Sequence, residues 1–225
     1  MELNKEQTPA MFDQIAGTYD KLNHTLSFGF DIIWRKRFVK KLKKKQYNTI
    51  VDIASGTGDL LLELQKLHAK KYIAIDPAVK MLELATKKVP NAEFIVASAE
   101  DIPLLSASAN LITVSFGIRN FANLNKAFLE FHRVLDKNGT VSIMEFALPK
   151  FFLFRWGFII YLKAFLPITG KLISRNFKAY KYLSDSIIDF SKNNNIPEIL
   201  KTAGFEKLIE QSLFFGSVRI YSGTK

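Results

Sequence analysis

The residues best suited to chemistry lie in one short loop and at one acid further along the chain. The loop, Ser55-Gly56-Thr57-Gly58, follows an apolar β-branched run, and Asp76 ends a second such run. Gly56 and Gly58 can adopt positive φ and admit a ligand to the backbone, while the helix starting near Asp59 offers unpaired N–H groups to a carboxylate. A carboxylate at Asp76 can accept hydrogen bonds from both hydroxyls of a ribose. Together these residues favour a site for a charged nucleoside.

The loop also disfavours two other kinds of nucleotide chemistry. It lacks the Lys-Ser/Thr pair of a phosphate-binding P-loop, and its two glycines do not complete the three-glycine dinucleotide fingerprint. A glycine loop alone fits a tight turn with no ligand equally well, so its interpretation depends on Asp76 and on the strand order. Asp52, inside the first strand, leaves two alternatives open: a contact with the ligand or a cap for neighbouring backbone.

Composition limits the class of protein. The 225 residues, 48% of them hydrophobic, suffice for one well-buried core, and 32 Lys plus Arg against 21 Asp plus Glu give a net charge of +11. This charge favours an anionic neighbour, either nucleic acid or phospholipid. The sequence carries no zinc-finger, homeodomain or ribonucleoprotein motif, and we predict no nucleic-acid partner. Cys is absent, and His24, His68 and His132 lack metal-ligand spacing, so we predict no metal site.

The middle of the chain alternates apolar, β-branched runs with helical segments, which predicts a parallel sheet covered by helices on both faces. Strands are expected at 49–54, 72–76, 93–97, 111–116 and 140–146, with helices at 60–67, 77–90 and 124–135. Towards the end, a helix at 196–203 capped by Gly204 precedes strands at 205–213 and 217–223, which form a hairpin at Gly216. We predict an α/β fold with a seven-stranded, mostly parallel, doubly wound sheet and an antiparallel C-terminal strand.

No repeat or linker separates a second domain, so we predict one domain over 1–225. Its parts are expected to be an N-terminal helical cap at 1–45, a cofactor-binding core at 46–148, a helical insertion at 149–192 and a C-terminal helix and hairpin at 193–225. In an open parallel sheet, ligands collect beyond the C-terminal ends of the strands, where the winding reverses. The glycine loop and Asp76 are expected at that edge.

These features resemble the class I S-adenosylmethionine-dependent methyltransferases, in which the first loop meets the methionine moiety and the second-strand acid meets the ribose. Within that class, Met11 to Asn23, Leu26 to Gly29 and Trp34-Arg35 resemble the N-terminal signature of the ubiquinone/menaquinone biosynthesis C-methyltransferases. Further landmarks of that family have similar counterparts at Ser115-Phe116-Gly117-Ile118-Arg119-Asn120, Arg133-Val134-Leu135, Glu145-Phe146 and Ala179 to Ser186. The resemblance covers almost the whole chain.

The resemblance implies that the chain binds S-adenosylmethionine and methylates the ring of a prenylated quinol. It implies contacts with the cofactor at the glycine loop, notably Thr57, and at Asp76, Ser98, Ala99 and Ser115. The chain departs from the family at Ser98, where Asp is frequent, and at Lys137-Asn138-Gly139-Thr140, where Lys-Pro-Gly-Gly is frequent. A Ser hydroxyl or backbone N–H groups can replace the missing carboxylate, and Asn is compatible with a turn. A methyltransferase acting on another small-molecule or lipid acceptor stays open as the alternative.

Ring methylation requires a nucleophilic carbon. Losing a phenolic proton raises that nucleophilicity, so a base or a cation beside the phenol should help. We place Tyr19, Asn23, Arg119 and Asn120 there because they lie in signature segments expected to converge over the cofactor. Arg119 stays protonated and can stabilise phenolate charge, and Tyr19 can relay or position a proton. For each of them, a packing role is the alternative.

The insertion has the composition of an element that lies on a membrane. Between Pro149 and Lys192, eight Lys or Arg and two Asp accompany many aromatic residues, among them Phe151, Phe152, Phe154, Trp156, Phe158, Tyr161 and Phe165. This suits the surface of an anionic membrane, and the alternative is a lid helix buried against the domain or against a partner in a homodimer. The basic run Lys40 to Lys45 more simply forms a solvated helix face. The N-terminus lacks an apolar leader, so we expect a bacterial cytoplasmic enzyme at the inner face of the cell membrane.

Overall fold

The computed structural model describes residues 7–43, 45–166 and 177–225. The strands within them are β1 (Thr49–Ile53), β2 (Lys71–Asp76), β3 (Glu93–Val96), β4 (Ala109–Ser115), β5 (Leu135–Phe146), β6 (Glu206–Leu213) and β7 (Val218–Thr224). The α-helices are α1 (Thr8–Leu26), α2 (Phe30–Leu42), α3 (Asp59–Leu64), α4 (Val79–Lys88), α5 (Leu124–Val134), α6 (Phe152–Ile160), α7 (Phe177–Asn193) and α8 (Ile196–Thr202). A π-helical turn, Tyr161–Phe165, continues α6.

The strands form one sheet in the order β3-β2-β1-β4-β5-β7-β6. β1 pairs in parallel with β2 on one side and with β4 on the other, so the winding of the chain reverses between β1 and β4. β7 runs antiparallel to both of its neighbours, β5 and β6. The predicted fold class is therefore confirmed. The reversal places the ends of β1 and β4 at the edge where such sheets bind ligands.

Apolar residues cover both faces of the sheet because successive residues of a strand point to opposite faces. In β1, Val51 packs in a cluster with Phe128 of α5, whereas Ile50 packs in another with Phe38 of α2. A further cluster joins α1, α4, the π turn and α7, and it contains Leu22, Met81, Leu162 and Ile187. The N-terminal helix thus packs against the helical insertion rather than standing alone.

The largest difference from the predicted elements lies between α5 and β5. The helix ends at Val134 and the strand begins at Leu135, although the pattern predicted a turn before a strand at 140. Asn138 N–H donates to the carbonyl of Lys225 at 3.1 Å, and Lys225 N–H donates to that of Gly139 at 3.0 Å. The end of the chain therefore gives strand-like pairing to residues whose types are typical of a turn.

A smaller difference follows the glycine loop. The pattern predicted helix through Leu67, but α3 ends at Leu64 and a 3-10 turn follows over Gln65–Leu67. The Tyr72 hydroxyl lies 3.3 Å and 3.2 Å from the carbonyl oxygens of Leu64 and Gln65. This hydroxyl satisfies carbonyl groups that a continuing helix would otherwise use.

The insertion is helical in both of its described parts, α6 with its π turn and α7, as predicted. Residues 167–176 lie outside the described residues, so the helical prediction is untested there. Among the helices that the structure describes, none is long and apolar enough to cross a membrane.

Candidate active site

The glycine loop joins β1 to α3 through left-handed backbone. Gly56 and Gly58 have φ of 55° and 82°, which side chains disfavour. A Cβ at Gly58 would lie 3.0 Å from the Cβ of Ala85, so this glycine permits close packing of α4 against the loop. A Cβ at Gly56 would meet nothing within 4 Å, so the backbone at Gly56 is open to a ligand.

Asp76, at the end of β2, is bound to the glycine loop. Its Oδ2 accepts a hydrogen bond from Gly56 N–H at 2.8 Å, and its Oδ1 accepts one from Ala78 N–H at 2.8 Å. Burial raises the pKa of Asp76 to about 6, against the opposing effect of these two hydrogen bonds. Because each carboxylate oxygen can accept more than one hydrogen bond, Asp76 retains capacity for ribose hydroxyls.

Asp52, a further acid near the glycine loop, lies within β1. Its Oδ1 accepts a hydrogen bond from Thr113 Oγ1 at 2.7 Å, and its Oδ2 is buried with no hydrogen-bond partner. Burial raises the pKa of Asp52 to about 7. The bond to Thr113 joins two side chains and ties β1 to β4, so it is not the backbone cap that was one alternative; contact with the ligand stays a prediction.

A cavity of about 440 Å³, a size typical of small-molecule sites, opens beyond the ends of β1 and β4. One part of its wall is polar and includes Tyr19, Ser55, Gly56, Thr57, Ser115 and Arg119. The rest is mainly apolar and comes from α1, α6, the π turn, α7 and the turn after β6, with Met11, Ile15, Phe154, Leu162, Ile187 and Phe215 among its residues. One cavity therefore offers adjacent surfaces to a charged ligand and to an apolar one.

Five of the predicted site residues do not line this cavity: Gly58, Asp76, Ser98, Ala99 and Asn120. Ser98 and Ala99 follow β3, whose last residue, Val96, pairs with Asp76, so they belong to the same edge of the sheet. The side-chain oxygen of Asn120 accepts a hydrogen bond at 3.0 Å from the hydroxyl of Tyr182, which does line the cavity. Asn120 thus positions a wall residue in this structure.

Arg119 forms a buried ion pair that its sequence motif did not reveal. Its Nη1 lies 2.9 Å from Oε1 of Glu145 in β5 and also donates to the carbonyl of Phe116. Burial raises the pKa of Glu145, and the charge of Arg119 opposes that effect. The guanidinium is therefore held rigidly at the cavity wall with its charge partly balanced. An acid inside the apolar run of β5 was the one signal of this partner.

Tyr19 reaches the cavity from α1 and is hydrogen-bonded to the side chain of Asn23. Burial raises its pKa, and the nearby charge of Arg119 opposes the rise. Tyr19 is accordingly a neutral phenol at ordinary pH, able to donate a hydrogen bond. The structure brings Tyr19, Asn23 and Arg119 to one cavity, as the signature segments predicted.

A polar network that the sequence did not predict ties α1 to the glycine loop. Thr57 Oγ1 donates to Asp20 Oδ1 at 2.5 Å, and Lys88 Nζ lies 2.7 Å from Asp20 Oδ2 and 2.5 Å from Asp59 Oδ1. His24, Asp31 and Asp59 also bring potential metal-ligand atoms within 4.8 Å of one another. Because Lys88 and Arg35 already bind these carboxylates, the cluster is an ion-pair network; the absence of a metal stays a prediction.

The site fits the amino-acid and nucleoside parts of S-adenosylmethionine. Ser55 Oγ is buried with no hydrogen-bond partner, Gly56 exposes its backbone, and Asp76 retains acceptor capacity. An open glycine loop after the first strand of a doubly wound sheet, with an acid at the end of the second, suits a nucleoside ligand. This agrees with the resemblance to the class I S-adenosylmethionine-dependent methyltransferases.

Solved structures share the fold. An S-adenosylmethionine-dependent methyltransferase from Thermotoga maritima matches with a TM-score of 0.69 at 20% identity, over 96% of this chain and 98% of that chain. Another, from Aquifex aeolicus, matches with a TM-score of 0.56 at 17% identity, over 82% and 87%.

The family follows from sequence comparison. The model of the ubiE/COQ5 methyltransferase family matches residues 1–225. A Campylobacter jejuni protein named ubiquinone/menaquinone biosynthesis C-methyltransferase UbiE is 42% identical over 98% of both chains. A demethylmenaquinone methyltransferase from T. maritima is 39% identical over 97% of this chain and 96% of its own. The chain belongs to the ubiE/COQ5 methyltransferase family, which confirms the predicted enzyme class and cofactor; the roles of individual site residues stay predictions.

Proposed function

We propose that this enzyme transfers the methyl group of S-adenosylmethionine to a ring carbon of a prenylated quinol, converting demethylmenaquinol to menaquinol. The observation that carries the proposal is the cavity, whose polar wall at the glycine loop continues into an apolar wall from α1, α6 and α7. An apolar wall of this extent suits a prenyl chain better than a polar acceptor. The names of the C. jejuni and T. maritima relatives refer to the same quinone chemistry.

The residues of the polar wall divide the work. Thr57, Gly56 and Ser115 hold the cofactor, which when bound supplies the methyl group as an electrophile. Arg119 stabilises the negative charge that forms when the quinol loses a phenolic proton to water, the step that makes its ring carbon nucleophilic. After the methyl group bonds to that carbon, the carbon loses its hydrogen as a proton to water and the ring becomes aromatic again. Tyr19, kept protonated by its raised pKa, donates a hydrogen bond to a ring oxygen and orients the ring.

The acceptor is tested by transfer of label from methyl-labelled S-adenosylmethionine to chemically reduced demethylmenaquinol in detergent micelles. The matched acceptor is the same quinol ring without its prenyl chain, for which we expect kcat/KM to fall at least about tenfold because apolar contacts are lost. Arg119→Met should lower kcat about 100-fold with little change in S-adenosylhomocysteine affinity, whereas Arg37→Met on the exposed face of α2 is the control. The proposal is contradicted if neither quinol becomes labelled. If the two quinols react at equal rates, the role given to the apolar wall is contradicted.

We also propose that the enzyme works at the cytoplasmic face of an anionic bacterial membrane. On the outer side of α6, Phe152 and Trp156 are 73% and 69% exposed. Phe28, also 69% exposed, stacks on Phe165 of the π turn with ring centroids 6.0 Å apart, which extends the apolar surface. Arg155 of α6 and Lys163 of the π turn are exposed cations on the same element. Exposed aromatic residues near cations suit an anionic interface.

Flotation with phospholipid vesicles tests this surface. The pair Phe152→Ser and Trp156→Ser should reduce binding to vesicles rich in phosphatidylglycerol about tenfold, since two large apolar side chains are lost. Leu105→Ser, at a residue 82% exposed in the loop between β3 and β4, is the matched control. Unchanged flotation of the double variant contradicts the proposal. A dimer in solution that the same two substitutions dissociate would assign the surface to a homodimer.

A further inference from the structure

Arg35, on the inner side of α2, is a buried cation with incomplete hydrogen bonding. Its side chain is 10% exposed and lines the cavity together with Ser55, Gly56 and Thr57. Nη1 donates to Asp31 Oδ2 at 2.5 Å, whereas Nε is buried and has no partner. Because a guanidinium carries five N–H groups in one plane, a single carboxylate at Nη1 leaves donors for a second anion.

Asp59, the first residue of α3, also lines the cavity and carries the opposite charge. Its Oδ2 lies 3.6 Å from Arg35 Nη1, a separation too long for a hydrogen bond. Its Oδ1 accepts a hydrogen bond from Lys88 Nζ at 2.5 Å, which anchors the carboxylate. Beside the glycine loop, therefore, a cation and an anion line the same cavity at ion-pair distance, with no hydrogen bond between them.

We propose that Arg35 and Asp59 recognise the zwitterionic amino-acid end of S-adenosylmethionine. Arg35 binds the α-carboxylate and Asp59 binds the α-ammonium group. Both charges of the ligand then meet a partner, and the guanidinium gains the acceptor that it lacks. The proposal rests on the cofactor assignment and does not depend on the identity of the methyl acceptor.

The opposing interpretation gives Arg35 a structural role only. Asp31, its partner, also accepts a hydrogen bond from Ser27 Oγ at 2.6 Å and pairs with His24 at 2.8 Å. Arg35 therefore belongs to a network at the junction of α1 and α2, and its loss could loosen that junction. A loosened junction would weaken the binding of every ligand of the cavity alike. Lost recognition would weaken the binding only of ligands that carry the amino-acid end.

The two interpretations separate when two ligands are titrated calorimetrically into the full chain. S-adenosylhomocysteine carries the zwitterion; methylthioadenosine has the same nucleoside and sulfur but no amino acid. Arg35→Gln should lower the affinity for S-adenosylhomocysteine about 30-fold, as expected for a lost charged hydrogen bond. It should lower the affinity for methylthioadenosine less than about twofold. Arg37→Gln, on the exposed face of the same helix, should change neither affinity.

Equal weakening of both ligands by Arg35→Gln, or no weakening of either, overturns the proposal. A further titration needs no variant and covers the case in which Arg35→Gln fails to fold. The wild-type protein should bind decarboxylated S-adenosylhomocysteine about 30-fold more weakly than S-adenosylhomocysteine itself. Equal affinities for these two ligands also overturn it. Since neither titration contains an acceptor, a failed quinol assay would leave these results unaffected.

Discussion

The two ends of the cavity are built from different interactions. At the cofactor end, where the glycine loop lies, directional hydrogen bonds fix the chain, as in the 2.8 Å bonds from Gly56 N–H and Ala78 N–H to Asp76. At the acceptor end, aromatic rings hold one another, and Phe154 of α6 stacks on Phe215 with centroids 4.6 Å apart. Hydrogen bonds specify position closely, whereas ring contacts tolerate small displacements.

Backbone strain occurs at both ends of the cavity: Ala54 and Phe116, beside Ser55 and Ser115, have φ of 51° and 57°. Phe28, Phe214 and Phe215 have φ of 53°, 44° and 56°, in the left-handed region that bulky residues avoid. All three line the cavity, and the π turn at Tyr161–Phe165 lies in the same wall. Strained backbone of this kind is typical of segments that hold ligands. The hydrogen-bonded cofactor end is therefore rigid and the aromatic acceptor end deformable. Substitutions at the rigid end should cost more stability or affinity than substitutions at the deformable one.

The largest effect is expected at Glu145, the buried partner of Arg119. Glu145→Gln leaves the guanidinium without its counter-charge and should lower the free energy of unfolding by about 3–5 kcal/mol. Urea unfolding followed by circular dichroism measures it. The double variant Glu145→Leu with Arg119→Met should recover most of that loss, because it removes both buried charges together. A cost below about 1 kcal/mol for Glu145→Gln would show that the pair matters little to stability.

The next effect concerns pH and Asp52. Burial raises its pKa to about 7 in the folded protein from the ordinary 3.8, so its contribution to stability is present below pH 4 and lost as pH rises towards 7. Asp52→Asn keeps an acceptor for Thr113 and removes this titration. The free energy of unfolding of the variant, relative to that of wild type, should rise by on the order of 3 kcal/mol from pH 4 to pH 8. Urea unfolding at both values measures the change, and a constant difference would refute the raised pKa.

At Asp76, binding should change more than stability. Asp76→Asn places an amide N–H2 group opposite one of the backbone donors, Gly56 or Ala78, and removes the charge that we predict to bind the ribose hydroxyls. We expect S-adenosylhomocysteine affinity to fall about 100-fold or more, as for two lost charge-assisted hydrogen bonds. Titration calorimetry measures it, with Asp101→Asn in the exposed loop after β3 as the control. Affinity within threefold of wild type would remove Asp76 from the site.

The cofactor end was largely predictable because its signals are local. Alternation of strands and helices placed the sheet, and glycines at a strand-to-helix turn with an acid after the next strand placed the site, near Gly56 and Asp76. The partners of these residues were not predictable. Asp20 meets Thr57 across 37 positions of sequence, and Lys88 meets Asp20 across 68, so no local pattern joins them.

Other failures have a similar cause. The pairing of Lys225 with Asn138 and Gly139, which extends β5 back to Leu135, depends on where the end of the chain lies. The aromatic composition of the insertion predicted an exposed face and a lid as alternatives. The continuous helix of α6 and the π turn has both properties, because Trp156 is exposed while Leu162 is buried against the cavity. Composition could not separate two faces of one helix.

The smallest effect is expected at the acceptor end, where Phe154 and Phe215 stack. Phe154→Ala and Phe215→Ala should each raise KM for the prenylated quinol about three- to tenfold, since each removes apolar wall, and leave S-adenosylhomocysteine affinity unchanged. The effects of the two substitutions on kcat/KM should not add: the double variant should show a coupling energy of about 0.5–1.5 kcal/mol, because the second substitution removes a ring whose stacking partner is already gone. Strict additivity would mean that the rings act independently. Loss of S-adenosylhomocysteine affinity would show that the two ends of the cavity are coupled, and the contrast between a rigid and a deformable end would no longer hold.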